Sequence, residues 1–122
     1  MNTLFENVGK VGLENGQFAA VLKATVNVGA GATDTAIVAA VTGKKIRVLG
    51  FNVLGGAAGT FVLNTKPAGA GSAISAVYAI GTTLLTVEPK FYLCDTTAGQ
   101  GLSATTTGGG ATAVGVLTYC LV

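Results

Sequence analysis

Hydrophobic and polar residues alternate along much of this chain with a period of two, the pattern of a strand that turns one face to a core and the other to solvent. Leu22, Ala24, Val26 and Val28 alternate with Lys23, Thr25 and Asn27, and the turn residues of 29–34 end the run. Residues 35–41 hold enough alanine for a helix, but their Thr, Ile and Val are stiff at χ1 and suit a pleated surface, which predicts a strand. Thr42 and Gly43 then lead into the strongest strand pattern of the chain, residues 45–54.

That strand changes phase. Ile46 and Val48 stand opposite Lys45 and Arg47, whereas Leu49, Phe51 and Val53 stand opposite Gly50 and Asn52, so the apolar side switches near Val48. Either a β-bulge lies there or both faces are covered. Residues 55–59 turn the chain into 60–65, where Phe61 and Leu63 point inward, and Pro67 opens a loop over 66–72. Further strands are expected over 74–80, 82–87, 90–96, 102–106 and 111–122, with Pro89 at a boundary because it has no N–H to give to a ladder.

Short strands at close spacing, Gly-marked turns and no convincing amphipathic helix predict an all-β chain: a single β-sandwich, jelly-roll-like, over residues 18–122. Residues 1–17 do not join this rhythm and are expected to form an extended N-terminal arm, either free or gripping a neighbour. The echo of Gly29-Ala30-Gly31 in Gly69-Ala70-Gly71 reflects a composition rich in Gly and Ala.

Composition changes the picture in one respect. The 122 residues are 50% hydrophobic but only 10% charged, against roughly 25% charged in ordinary globular proteins. Such a chain fits one domain, and a monomer would show water a weakly repelling, apolar surface, so burial between subunits is expected. A net charge of +2, with seven Lys and Arg spread along the sequence, argues against nucleic acid. Lys23, Asn27, Asp34 and Lys44 interrupt every run that approaches the ~18 apolar residues of a spanning helix, which argues against a membrane. The first ten residues lack a basic start leading into an apolar run, so no secretory signal is expected.

The search for chemistry mostly closes doors. The chain has no His, which removes the common Ser–His and Cys–His nucleophile pairs and the usual ligand for zinc, copper and iron. The carboxylates Glu6, Glu14, Asp34, Glu88 and Asp95 are scattered. Only Glu88 and Asp95 are candidates for acid–base work, and both adjoin turns where solvated carboxylates are ordinary. Residues 99–104 spell the G-x-G-x-x-A of a dinucleotide loop, but Thr105-Thr106-Thr107-Gly108 follows in place of a helix. Gly108-Gly109-Gly110 lacks the Lys-Ser or Lys-Thr of a phosphate loop. Cys94 and Cys120 have neither metal-ligand nor redox spacing and read as two buried thiols or as a disulfide between neighbouring strands. The tyrosines and phenylalanines are unclustered in sequence, which favours core or subunit contact over sugar stacking. No catalytic, cofactor or metal residue is assigned.

Gly43-Lys44-Lys45-Ile46-Arg47-Val48-Leu49-Gly50, then Gly59-Thr60-Phe61, Gly99-Gln100-Gly101-Leu102 and Val114-Gly115-Val116-Leu117-Thr118-Tyr119 together resemble the small β-sandwich decoration, or cement, proteins of tailed-bacteriophage heads. The resemblance covers most of the chain after Phe18. It implies a non-enzymatic virion structural protein, made in the host cytoplasm and carried on the capsid exterior. There a homo-oligomer, such as a trimer, would bind the major capsid protein and hold the shell against internal DNA pressure. It implies no cofactor, nucleic acid or membrane partner. The alternative is a carbohydrate- or receptor-binding sandwich of a phage tail or fibre.

Leu117, Tyr119 and Leu121 are the expected subunit contact, on the premise that Val114, Val116 and Cys120 fill the opposite face of their strand. Phe5, in the arm, is the expected capsid contact.

Overall fold

A computed structural model of the chain describes residues 9–13 and 16–122, and among these every regular element is a strand. β1 (Lys10–Gly12) and β2 (Phe18–Ala20) form a short antiparallel hairpin. Val21 alone separates β2 from β3 (Leu22–Val28), so the hairpin projects from the start of β3. Then follow β4 (Thr35–Val38), β5 (Ile46–Gly55), β6 (Gly59–Lys66), β7 (Ser72–Ala73), β8 (Tyr78–Ile80), β9 (Leu85–Val87), β10 (Cys94–Asp95), β11 (Gly101–Thr107) and β12 (Ala113–Leu121). They make two five-stranded antiparallel sheets. The first runs β10-β5-β12-β3, with β9 also paired to β5, and the second runs β4-β11-β6-β7, with β8 also paired to β6. The chain is the all-β sandwich its alternation implied.

The inward faces of both sheets share one core. Val26, Val28, Val48, Val53 and Leu117 of the first sheet meet Phe61, Leu63, Leu102 and Ala104 of the second. Phe51 ties the layers together, its ring 5.4 Å from Phe61 and 5.4 Å from the edge-on ring of Tyr78. Such aromatic pairs contribute about 0.5–1.5 kcal/mol beyond their burial.

The change of phase in β5 is a bulge. Thr118 of β12 faces Gly50, while Tyr119 faces Val48, which leaves Leu49 as the extra residue. Ile46 and Val48 before the bulge, and Phe51 and Val53 after it, all turn into the core. One inserted residue reverses the alternation and restores both apolar pairs to the same face.

β12 lies between β5 and β3 and approaches β5 closely at Gly115, which pairs with Val53. A Cβ on Gly115 would run into the backbone carbonyl of Asn52. The strand expected over 90–96 shortens to Cys94–Asp95. Pro89 stops the ladder after β9, and Phe91 and Tyr92 turn outward instead of pairing. Within the stretch read as an arm, Lys10–Gly12 are held by β2, whereas Phe5 lies outside the described residues.

Candidate functional site

The two sheets differ in what covers their outer faces. On the second sheet, the chain closes over itself around Asp34. Its carboxylate accepts hydrogen bonds from the Gly71 N–H at 2.9 Å, Asn64 Nδ2 at 3.1 Å and Ser103 Oγ at 3.2 Å. The Thr105 hydroxyl accepts from the Asp34 N–H and from Asn64 Nδ2, both at 3.0 Å. Asp34 sits at φ 52, a left-handed conformation that Asp tolerates better than most residues. The Gly71 amide is the main reason its carboxyl is held below the ordinary value. Ser103 and Asn64 are buried beneath this latch.

The first sheet is open. Leu54, Val114 and Val116 point outward on β5 and β12 and are 45%, 51% and 41% exposed. Leu54 and Val114 are direct cross-strand partners, so they form one apolar stripe. Toward the hairpin the surface breaks into hollows. One of about 350 Å³ is lined by Leu13, Arg47, Leu49, Lys90, Phe91 and Tyr92 among others. A second of about 230 Å³ shares Leu49 with it and reaches Lys23, Glu88 and Val116. A third of about 480 Å³ shares Leu13 and lies between the hairpin and Lys44, Leu121 and Val122.

Arg47 organises the central hollow. Asp95 is its cross-strand partner, and the pair is bidentate, with Nε to Oδ1 at 2.8 Å and Nη2 to Oδ2 at 2.9 Å. The Tyr92 ring lies 3.9 Å from the guanidinium carbon. Fork-to-carboxylate bonding and stacking on an aromatic face are the two contacts to which a guanidinium is best suited, and here they hold Tyr92 against the sheet. Phe91, next in sequence, is 81% exposed at the rim.

Of the expected subunit contact, Leu117 is corrected, whereas Tyr119 and Leu121 keep partial exposure. Leu117 is fully buried in the core, and Tyr119 and Leu121 pack against the same cluster. The register explains the reversal: Leu117 pairs with Phe51, Tyr119 with Val48 and Leu121 with Ile46, all core residues of β5, so these odd positions face inward. Val114 and Val116 take the outward face. Both faces of β12 are apolar in sequence, so alternation alone could not choose between them.

Glu88 and Asp95 do not share any of these three hollows: Glu88 lines the one of about 230 Å³, and both oxygens of Asp95 are engaged by Arg47. Of the candidate stacking tyrosines, Tyr78 belongs to the core against Phe51, whereas Tyr92 is at the surface. Cys94 and Cys120 are both buried and are not joined to each other. They flank β5 on opposite sides, Cys94 facing Val48 and Cys120 facing Arg47, hence on opposite faces and two strand spacings apart. That spacing is about 9.6 Å, beyond the ~7 Å reach of a disulfide. Burial raises the Cys94 thiol to about 12, with the nearby Asp95 charge adding to the effect.

Among the described residues, no cluster of Cys, Asp or Glu could hold a metal ion. No family model, curated protein or solved structure matches the chain.

Proposed function

We propose that this chain is a non-enzymatic virion structural protein, a decoration or cement protein that binds the outer head shell as a homo-oligomer, such as a trimer. The observation that carries the reading is the first sheet's outer face, where Leu54, Val114 and Val116 form an exposed apolar stripe. A contiguous apolar surface on so small and weakly charged a chain marks a contact with other protein. The strand order supports the jelly-roll reading. With β7 and β8 taken as one strand, and β9 and β10 as another, the eight strands after the hairpin lie as 6-3-8-1 in one sheet and 2-7-4-5 in the other. The mechanism is multivalent: each subunit contributes a modest contact, and an oligomer bridging several major capsid subunits leaves only when all contacts break together.

The subunit contact moves from the buried Leu117 to the outward stripe of Leu54, Val114 and Val116. The solution mass of the purified protein, followed by density-gradient co-sedimentation with empty shells, tests the proposal. An oligomer that travels with the shells at high copy number is expected; a stable monomer that stays at the top of the gradient refutes it. Val114→Asp with Val116→Asp should dissociate the oligomer while leaving its circular dichroism unchanged.

A second reading, a carbohydrate- or receptor-binding module of a tail or fibre, is favoured by one observation, the adjacent exposed rings of Phe91 and Tyr92. Glycan-array binding lost in Tyr92→Ala would select it.

A further inference from the structure

The basic residues look scattered in sequence, yet the fold gathers six of the seven at one end of the first sheet. Lys10 lies in β1, Lys23 in β3, Lys44 and Lys45 just before β5, Arg47 in β5 and Lys90 between β9 and β10. Lys23, Lys44, Arg47 and Lys90 line the three adjoining hollows. Among the described residues only Glu88 and Asp95 offset them there, so six positive charges less two negative leave +4. The remaining described charges, Lys66 and Asp34, cancel on the side of the second sheet. All five lysines of the basic end are exposed, whereas Arg47 is neutralised by Asp95. Apolar side chains stand among them: Leu49 joins two of the hollows, and Phe18, Leu22 and Phe91 are exposed at their edges.

Charge decides what such a surface fits. Two copies meeting through this end would set the exposed lysines of one against those of the other, which disfavours self-pairing here. Phosphate backbones are gripped best by bidentate Arg, and the one Arg here has its fork on Asp95 and its face on Tyr92. We propose that this end of the sandwich docks an acidic polypeptide surface, which sets carboxylates against Lys23, Lys44 and Lys90 and apolar side chains into the hollow lined by Leu49, Phe91 and Tyr92. Naming that partner as a shell subunit rests on the proposed function; the docking surface does not.

The full chain is titrated with a short synthetic peptide alternating Glu and Leu, and in parallel with single-stranded DNA and phosphatidylserine vesicles. The Glu/Leu peptide should bind best and weaken as salt rises. Lys23→Glu with Lys90→Glu should weaken it at least about tenfold, while Lys66→Glu on the other sheet leaves it within about twofold. Unchanged circular dichroism excludes unfolding of these surface variants. Tighter binding of DNA or vesicles, no peptide binding, or equal loss in Lys66→Glu overturns the proposal. Shell co-sedimentation in the same series separates the two readings. A chain that binds shells regardless of the double reversal keeps the structural role and overturns the docking surface. A chain that binds the peptide as described but never joins shells keeps the docking surface and overturns the shell partner.

Discussion

Leu117→Ala tests the phase of β12, on which the position of the interaction surface depends. Leu117 is fully buried on a central strand, opposite Phe51 and packed in the core shared by both sheets. Truncation to alanine removes three carbons, about 2.4 kcal/mol of transfer free energy at ~0.8 kcal/mol each. The cavity left between two rigid sheets adds to this, for about 3–4 kcal/mol in all. Against a domain stability of about 5–15 kcal/mol, that is a large fraction, equivalent to a Tm lowered by roughly 9–16 °C. Val116, one position earlier, is 41% exposed on the other face, so Val116→Ala should cost under about 1 kcal/mol under the same conditions. Urea unfolding followed by circular dichroism, at a protein concentration where wild type and both variants share one oligomeric state, measures the two differences. Equal costs, or a greater cost at Val116, would mean that the even positions face the core, and the assignment of Leu54, Val114 and Val116 to the outer surface would fall with them.

Gly115→Ala should prevent stable folding or cost more than about 3 kcal/mol, because its new Cβ meets the Asn52 carbonyl, a backbone atom that cannot swing aside; soluble yield and Tm report it. Both cysteines should be silent to Ellman's reagent at pH 8 in the folded protein and react once guanidinium unfolds it, because burial hides them and lifts the Cys94 thiol to about 12. A native chain that reacts promptly would contradict this. Asp34 has its carboxyl below the ordinary 3.8, chiefly through the Gly71 N–H, so the stability it contributes is present above the unfolded value and is lost as pH falls through the lower folded value. Asp34→Asn should therefore be less stable than wild type at pH 7 and converge on it in acid; a gap that is constant with pH refutes the carboxylate's role.

Much of this was legible in local pattern. The strand at Leu22–Val28 follows from strict alternation, and the reversal near Val48 narrowed β5 to a bulge or two covered faces, between which the register with β12 chose the bulge at Leu49. Other features were not legible for identifiable reasons. β12 is apolar on both faces, so Val114 and Val116 could not be told from Leu117 and Tyr119 until the register with β5 was set. Phe91 and Tyr92 read as members of a strand over 90–96, yet Pro89 and the Arg47 stack turn this stretch outward.

By itself, the sequence determined that the chain is built of strands, where the longest of them run and that β5 changes phase near Val48, because the pleat imposes a two-residue period that each segment carries without reference to the others. The tertiary structure alone decided which face of β12 is buried, that Cys94 and Cys120 stand on opposite faces of the first sheet, and that lysines far apart in the chain meet at one end. These depend on distances between strands remote in sequence, and such distances exist only once the sheets have paired and packed.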